Sequence, residues 1–130
     1  MASAYTIATA ALTLEMPAKW LDNTLSHIRV PGVQQERQGV ARRITVDGML
    51  ILAAAALLIR EIGVPLAAAV EIAERLARNA GEYKSAGGVD VRLDLPRLRS
   101  AMLERLENAV EIAPVPRRGR PPKTKTGRLD

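Results

Sequence analysis

Cysteine is absent from this sequence of 130 residues, and with it go disulfides, thiolate metal sites and a cysteine nucleophile. Histidine occurs once, as His27, too few imidazoles for the usual zinc or catalytic cluster. Phenylalanine is missing as well, and one Trp and two Tyr make up the whole aromatic complement. The core must therefore be aliphatic and Ala-rich, which suits close helix packing better than a wide sandwich. No N-terminal stretch pairs a basic region with an apolar run as a secretory leader does. No apolar run reaches the roughly 20 residues that span a bilayer. The expectation is a cytoplasmic chain with no membrane partner and no metal or other cofactor.

Acidic residues are the other scarcity, and it is local. Residues 114–130 hold Arg117, Arg118, Arg120, Lys123, Lys125 and Arg128 against Asp130 alone. Their surplus of five positive charges equals the net charge of the whole chain, +5, so residues 1–113 are balanced. A neutral body with a cationic end looks for a polyanion. The end itself, made largely of Pro, Gly, Lys, Arg and Thr, is too polar to fold alone and reads as a disordered basic tail.

What the sequence does have is one greasy stretch, residues 49–59 (MLILAAAALLI), eleven apolar residues without a break. Leaving that surface in water costs about 25 cal/mol per Å². Thr45 as N-cap, Asp47 in the first turn and Gly63 beyond the end predict a helix over about 45–62. Being apolar on every side, it must be covered from several directions.

Before it, Thr6 can cap a short helix with Ile7, Ala10 and Ala11 inward, and 13–15 form a turn. Pro17 then opens a helix to Ile28, with Leu21, Leu25 and Ile28 as its buried stripe. Lys19, Asn23 and Ser26 repeat on another side and should face solvent or a ligand. Residues 33–36 and 40–44 read as a two-stranded hairpin around Arg37-Gln38-Gly39, with Arg42 and Arg43 on its return arm. After the central helix, Gly63-Val64-Pro65 turns the chain into a helix over about 66–80. Its inward positions are Leu66, Ala69, Val70, Ala73, Leu76 and Ala77. Residues 81–88 look like a loop, and 89–95 alternate as a strand. Asp94 and Pro96 start a helix to about Ala109, with Leu98, Met102, Leu103 and Leu106 on its apolar side. Val110-Glu111-Ile112 is expected to return as a second strand. That gives a mainly α chain: a body over 1–80, a β-α-β docking and dimerisation piece over 81–113, and the tail over 114–130.

Two resemblances follow from these residues. Tyr5-Thr6-Ile7, Met16-Pro-Ala-Lys-Trp-Leu21, Arg42-Arg43-Ile44-Thr45 and Ile62-Gly-Val-Pro-Leu66 stand in the order found in MerR-type winged helix-turn-helix domains, over about residues 5–76. The resemblance implies a recognition helix presenting Lys19, Trp20, Asn23, Ser26 and His27 to the major groove. It also implies a small two-stranded wing whose Arg37, Arg42 and Arg43 lie on the DNA backbone or minor groove. Asp22 stands where members of that family often carry Arg. The family's long coiled coil and effector domain are missing here, so sensing of a ligand or metal is not carried over. The second resemblance, shorter and sharper, is Pro116-Arg117-Arg118-Gly119-Arg120-Pro121-Pro122-Lys123, which looks like an AT-hook. Gly119 lets the backbone lie against a groove floor between Arg118 and Arg120, and the prolines hold the chain extended. The narrow minor groove of A·T tracts attracts inserted Arg. Arg117 and Lys123 would reach phosphates, and Pro121 stiffens the core of the motif.

The expected function is that of a homodimeric, sequence-specific double-stranded DNA-binding protein: a transcriptional regulator on the nucleoid that also uses A·T-rich flanks. Close variants are an architectural or excisionase-like accessory factor. The alternative from another class is a protein-interaction module such as an antitoxin or adaptor. The tail could also be a plain solvated basic linker, and the first two helices a hairpin of an ordinary bundle. Asp22, Ser26 and His27 name the members of a hydrolytic triad, but Asp22 and Ser26 sit one turn apart on a short helix, His27 adjoins Ser26, and no oxyanion donors accompany them. An enzyme is not expected.

Overall fold

The computed structural model describes residues 3–35 and 41–112, with the side chains of Glu111 and Ile112 outside that description. The fold is mainly helical. Strand β1 (Ala4–Thr6) runs straight into helix α1 (Ile7–Leu14), where the Thr6 hydroxyl accepts from the Thr9 amide at 3.1 Å. Glu15 ends α1 in the left-handed region at φ 57°, its amide bonding back to Ala11 and Leu12. Helix α2 (Ala18–His27) follows Pro17, which stands just outside the helix as its N-cap. The buried stripe of α2 centres on Leu21 and Thr24, with Leu25 and Ile28 half-covered.

Strands β2 (Val33–Gln34) and β3 (Arg43–Thr45) form the expected antiparallel ribbon, and β1 adds a third strand to it in the order β1-β3-β2. The two-stranded expectation falls short because Ala4–Thr6 pairs with β3, Tyr5 lying opposite Ile44 on one side and Val33 opposite it on the other. Ile44, at the middle of this small sheet, is fully buried. The ribbon's tip, Arg37 included, lies outside the described residues.

Helix α3 (Val46–Leu57) is the organising element, and every residue from Gly48 to Ala56 is buried. Thr45 caps it, accepting from the Gly48 amide at 3.2 Å. Its last turn, Leu58–Ile62, widens into a π-helical turn before Gly63 closes it at φ 77°. Gly32 (φ 91°) passes over the start of α3 at such close range that a Cβ there would stand 2.5 Å from the Thr45 hydroxyl. The Gly32 carbonyl accepts from the Thr45 amide at 2.9 Å. This crossing ties the chain leaving α2 to the head of α3. Helix α4 (Leu66–Arg78) packs Ala69, Val70, Ala73 and Leu76 onto α3, and Glu71–Arg75 and Glu74–Arg78 pair along its wet side.

Beyond α4 the chain departs from expectation. Glu82–Lys84 forms strand β4 within the supposed loop, pairing with β5 (Asp90–Arg92). The segment expected as a second strand, Val110-Glu111-Ile112, is instead the end of α5 (Leu95–Ile112). The piece is therefore β-β-α, not β-α-β. Helix wins at its end because Met102, Leu106 and Ala109 form one continuous buried stripe, and three residues of alternation cannot compete with a helix already docked. Leu103 lies about 100° round the helix from Met102 and is 38% exposed, so it flanks the core instead of lining it. The Asp94 carboxylate caps α5 through the Arg97 amide at 3.1 Å. Two arginines fasten α5 to the body. Arg105 Nε donates to the Thr13 carbonyl at the last turn of α1 at 2.8 Å, and Arg99 meets Asp47 on α3 at 3.7 Å. No helix among the described residues is long and apolar enough to cross a membrane.

Candidate nucleic-acid interface

With Leu21 and Thr24 turned inward, the 3.6-residue period of α2 sends Lys19, Asp22, Asn23, Ser26 and His27 outward, and all five are exposed. Trp20 is half-buried and packs against the core as an anchor for the helix. Not every outward group points away from the helix. Ser26 Oγ donates to the Asp22 carbonyl at 2.8 Å, and His27 Nδ1 lies 2.9 Å from the Asn23 carbonyl. A carbonyl can only accept, so Nδ1 is the donor in that bond.

The ribbon stands beside this face. Arg43 is exposed on β3, in register with Gln34 and Thr6 on the flanking strands. Arg42, one residue earlier, reaches back to α2 and pairs with Asp22 at 3.5 Å. Between the end of α2 and the ribbon lies a cleft of about 470 Å³ whose polar lining comes from Ser26, His27, Arg29, Gln35 and Arg42. No carboxylate side chain among the described residues lines it. Arg42 is paired with Asp22, so Arg29 is the guanidinium of this groove without an ion pair among the described residues, and the open form suits a phosphate of an extended chain better than a small closed ligand.

Of the residues singled out from sequence, Lys19, Asn23, Ser26 and His27 thus share the outward face of α2, Ser26, His27 and Arg42 meet at the cleft, and Arg43 is exposed on the ribbon. Arg37 and the tail residues Arg117, Arg118, Gly119, Arg120, Pro121 and Lys123 lie outside the described residues. Two participants were missed. Arg29 follows α2 directly and lines the cleft; a cation next to the helix end was the available signal. The partnership of Asp22 with Arg42 had no local signal. Among the described residues there is no cluster of His, Asp and Glu able to hold a metal ion. No protein-family model matches this chain, and no curated protein or solved structure matches it either.

Proposed function

We propose that this chain is a sequence-specific double-stranded DNA-binding protein, a transcriptional regulator working on the nucleoid through a winged helix-turn-helix of MerR type. In this reading α2 is the recognition helix and the β2–β3 ribbon the wing. The arginine-rich run at 117–123 is a second, minor-groove contact of AT-hook type. One observation carries it: the polar face of α2, with Lys19 and Asn23 outward, adjoins the ribbon that bears Arg42 and Arg43 and a cleft lined by no carboxylate side chain among the described residues. An exposed helix face next to a cationic ribbon can enter a groove while the ribbon meets phosphates. Base edges then supply specificity and the backbone supplies affinity.

Selection from a random duplex library with the full-length protein tests this. The expected result is a recovered consensus whose enrichment collapses in a Lys19→Ala, Asn23→Ala double variant, each good base contact being worth about 1–3 kcal/mol of discrimination. Failure to retain any duplex at low salt overturns the reading in favour of a protein-interaction role. A homodimer is the expected assembly. Leu103 and Val110, 38% and 53% exposed and two turns apart on α5, give a second copy an apolar strip to cover. Sedimentation at micromolar concentration should show a species of twice the chain mass, and Val110→Glu should return it to one.

A further inference from the structure

Asp22 is the odd member of the α2 surface. It stands one turn from Ser26 at the ribbon-side edge of the outward face, 58% exposed, where an approaching duplex brings negative charge. A bare carboxylate there weakens binding to every sequence. Its surroundings give it another use. The guanidinium of Arg42 lies 3.5 Å from Oδ1, and the Arg42 side chain is only 23% exposed, so it lies down against α2 instead of reaching outward. The pair is neutral as a unit. The nearest polar groups of α2 are turned elsewhere, Ser26 to the Asp22 carbonyl and His27 to the Asn23 carbonyl. With Oδ1 engaged by Arg42, Oδ2 is still able to accept from an incoming donor.

An ionised carboxylate accepts and never donates. The major groove offers two donors, the N4 amine of cytosine and the N6 amine of adenine. Adenine sets its N7 acceptor beside N6, which repels a carboxylate seated there, whereas cytosine presents its amine beside a C–H. We propose that Asp22 is a specificity-determining residue of this surface, accepting from cytosine N4, and that Arg42 is its positioning and neutralising partner, not a phosphate contact. This rests on the DNA-binding reading above and sharpens it: one acid sacrifices general affinity for discrimination at one base pair.

Two measurements on full-length protein decide it. In duplex selection the wild type should show cytosine at one position of its consensus. Asp22→Asn should shift that position toward adenine by at least tenfold in the cytosine-to-adenine ratio, because an Asn amide both donates to N7 and accepts from N6. The rest of the consensus should stay in place. A double-mutant cycle then separates the roles of Arg42. Arg42→Ala should weaken binding to the selected duplex about tenfold when Asp22 is present and less than twofold in the Asp22→Asn background. Equal losses in the two backgrounds make Arg42 a direct DNA contact and overturn the proposal, as does a base preference unmoved by Asp22→Asn. In both cases the wild type still binds DNA, so the broader reading stands. If the wild type retains no duplex, that reading falls first and this one with it. Neither side chain belongs to the buried core, and unchanged thermal midpoints of the variants show that the fold is intact.

Discussion

At the scale of single residues, backbone conformation separates two positions that look alike in sequence, each a turn residue next to a helix. Gly32 combines a φ of 91° with a site where a Cβ would stand 2.5 Å from the Thr45 hydroxyl and 2.6 Å from the Gly48 amide nitrogen. Gly32→Ala therefore meets left-handed strain and a collision with backbone that also caps α3, and the expected cost is about 3 kcal/mol. Glu15 presents the opposite case. It holds φ 57° at the end of α1 with a side chain that the left-handed region disfavours, so Glu15→Gly should stabilise by about 1 kcal/mol. Urea unfolding of the two variants beside the wild type checks both signs. A neutral Gly32→Ala would mean that the passage over α3 is looser than described.

At the scale of elements, the parts that could be read from sequence are those whose signal and cause lie within one turn of chain. Thr6 and Thr45 cap α1 and α3 through amides three residues on, Asp94 does the same for α5, and Gly63 takes the left-handed turn its position demanded. The apolar period of α4 likewise translated directly into its buried stripe. What could not be read depends on distant partners. Three residues at Ala4–Thr6 become a strand because β3 lies beside them. Glu82–Lys84 does so because β5 returns after Ser85, whose amide and hydroxyl bond to Val89. The end of α5 departs from expectation for the converse reason: alternation over 110–112 is a local hint, whereas the helix that these residues extend is docked on α1 and α3 through its Met102, Leu106 and Ala109 stripe. This register has a measurable consequence. Met102 is fully buried and Leu103, its neighbour, is not. Met102→Ala should cost about 2–4 kcal/mol and Leu103→Ala well under about 1 kcal/mol in the monomer. Equal losses in thermal unfolding would mean that α5 is rotated about its axis. The candidate site divides in the same way. The outward set Lys19, Asn23, Ser26 and His27 follows from helical period alone, but the Asp22–Arg42 pair joins α2 to the ribbon and exists only once α2 has docked on α1 and the ribbon on α3.

At the scale of the whole molecule, charge is partitioned, with a balanced body over 1–113 and the entire surplus of five positive charges in 114–130. The body closes with α5 at Ile112, and the arginine-rich run begins at Arg117, five residues later. A chain spans at most about 3.3–3.6 Å per residue, so Arg117 can stand no more than roughly 20 Å from the end of α5. At about 3.4 Å per base pair, that distance is some six base pairs of duplex. If the run is a minor-groove contact, the A·T tract it prefers must begin within about that distance of the end of α5. Two joined contacts reinforce each other through effective concentration, so the tail should strengthen binding roughly tenfold or more when the tract is in reach and very little when it is not. Arg118→Ala with Arg120→Ala in the full-length chain isolates this contribution. Each cation that displaces counterions contributes about 0.9 to the slope of log affinity against log salt. The double variant should therefore lose close to two units of slope, and it should lose more affinity on A·T-rich than on G·C-rich flanks, because the narrow A·T groove concentrates the potential that draws Arg in. An unchanged slope, or equal losses on the two kinds of flank, would reduce the tail to a solvated basic linker and leave α2 and the ribbon to hold the duplex alone.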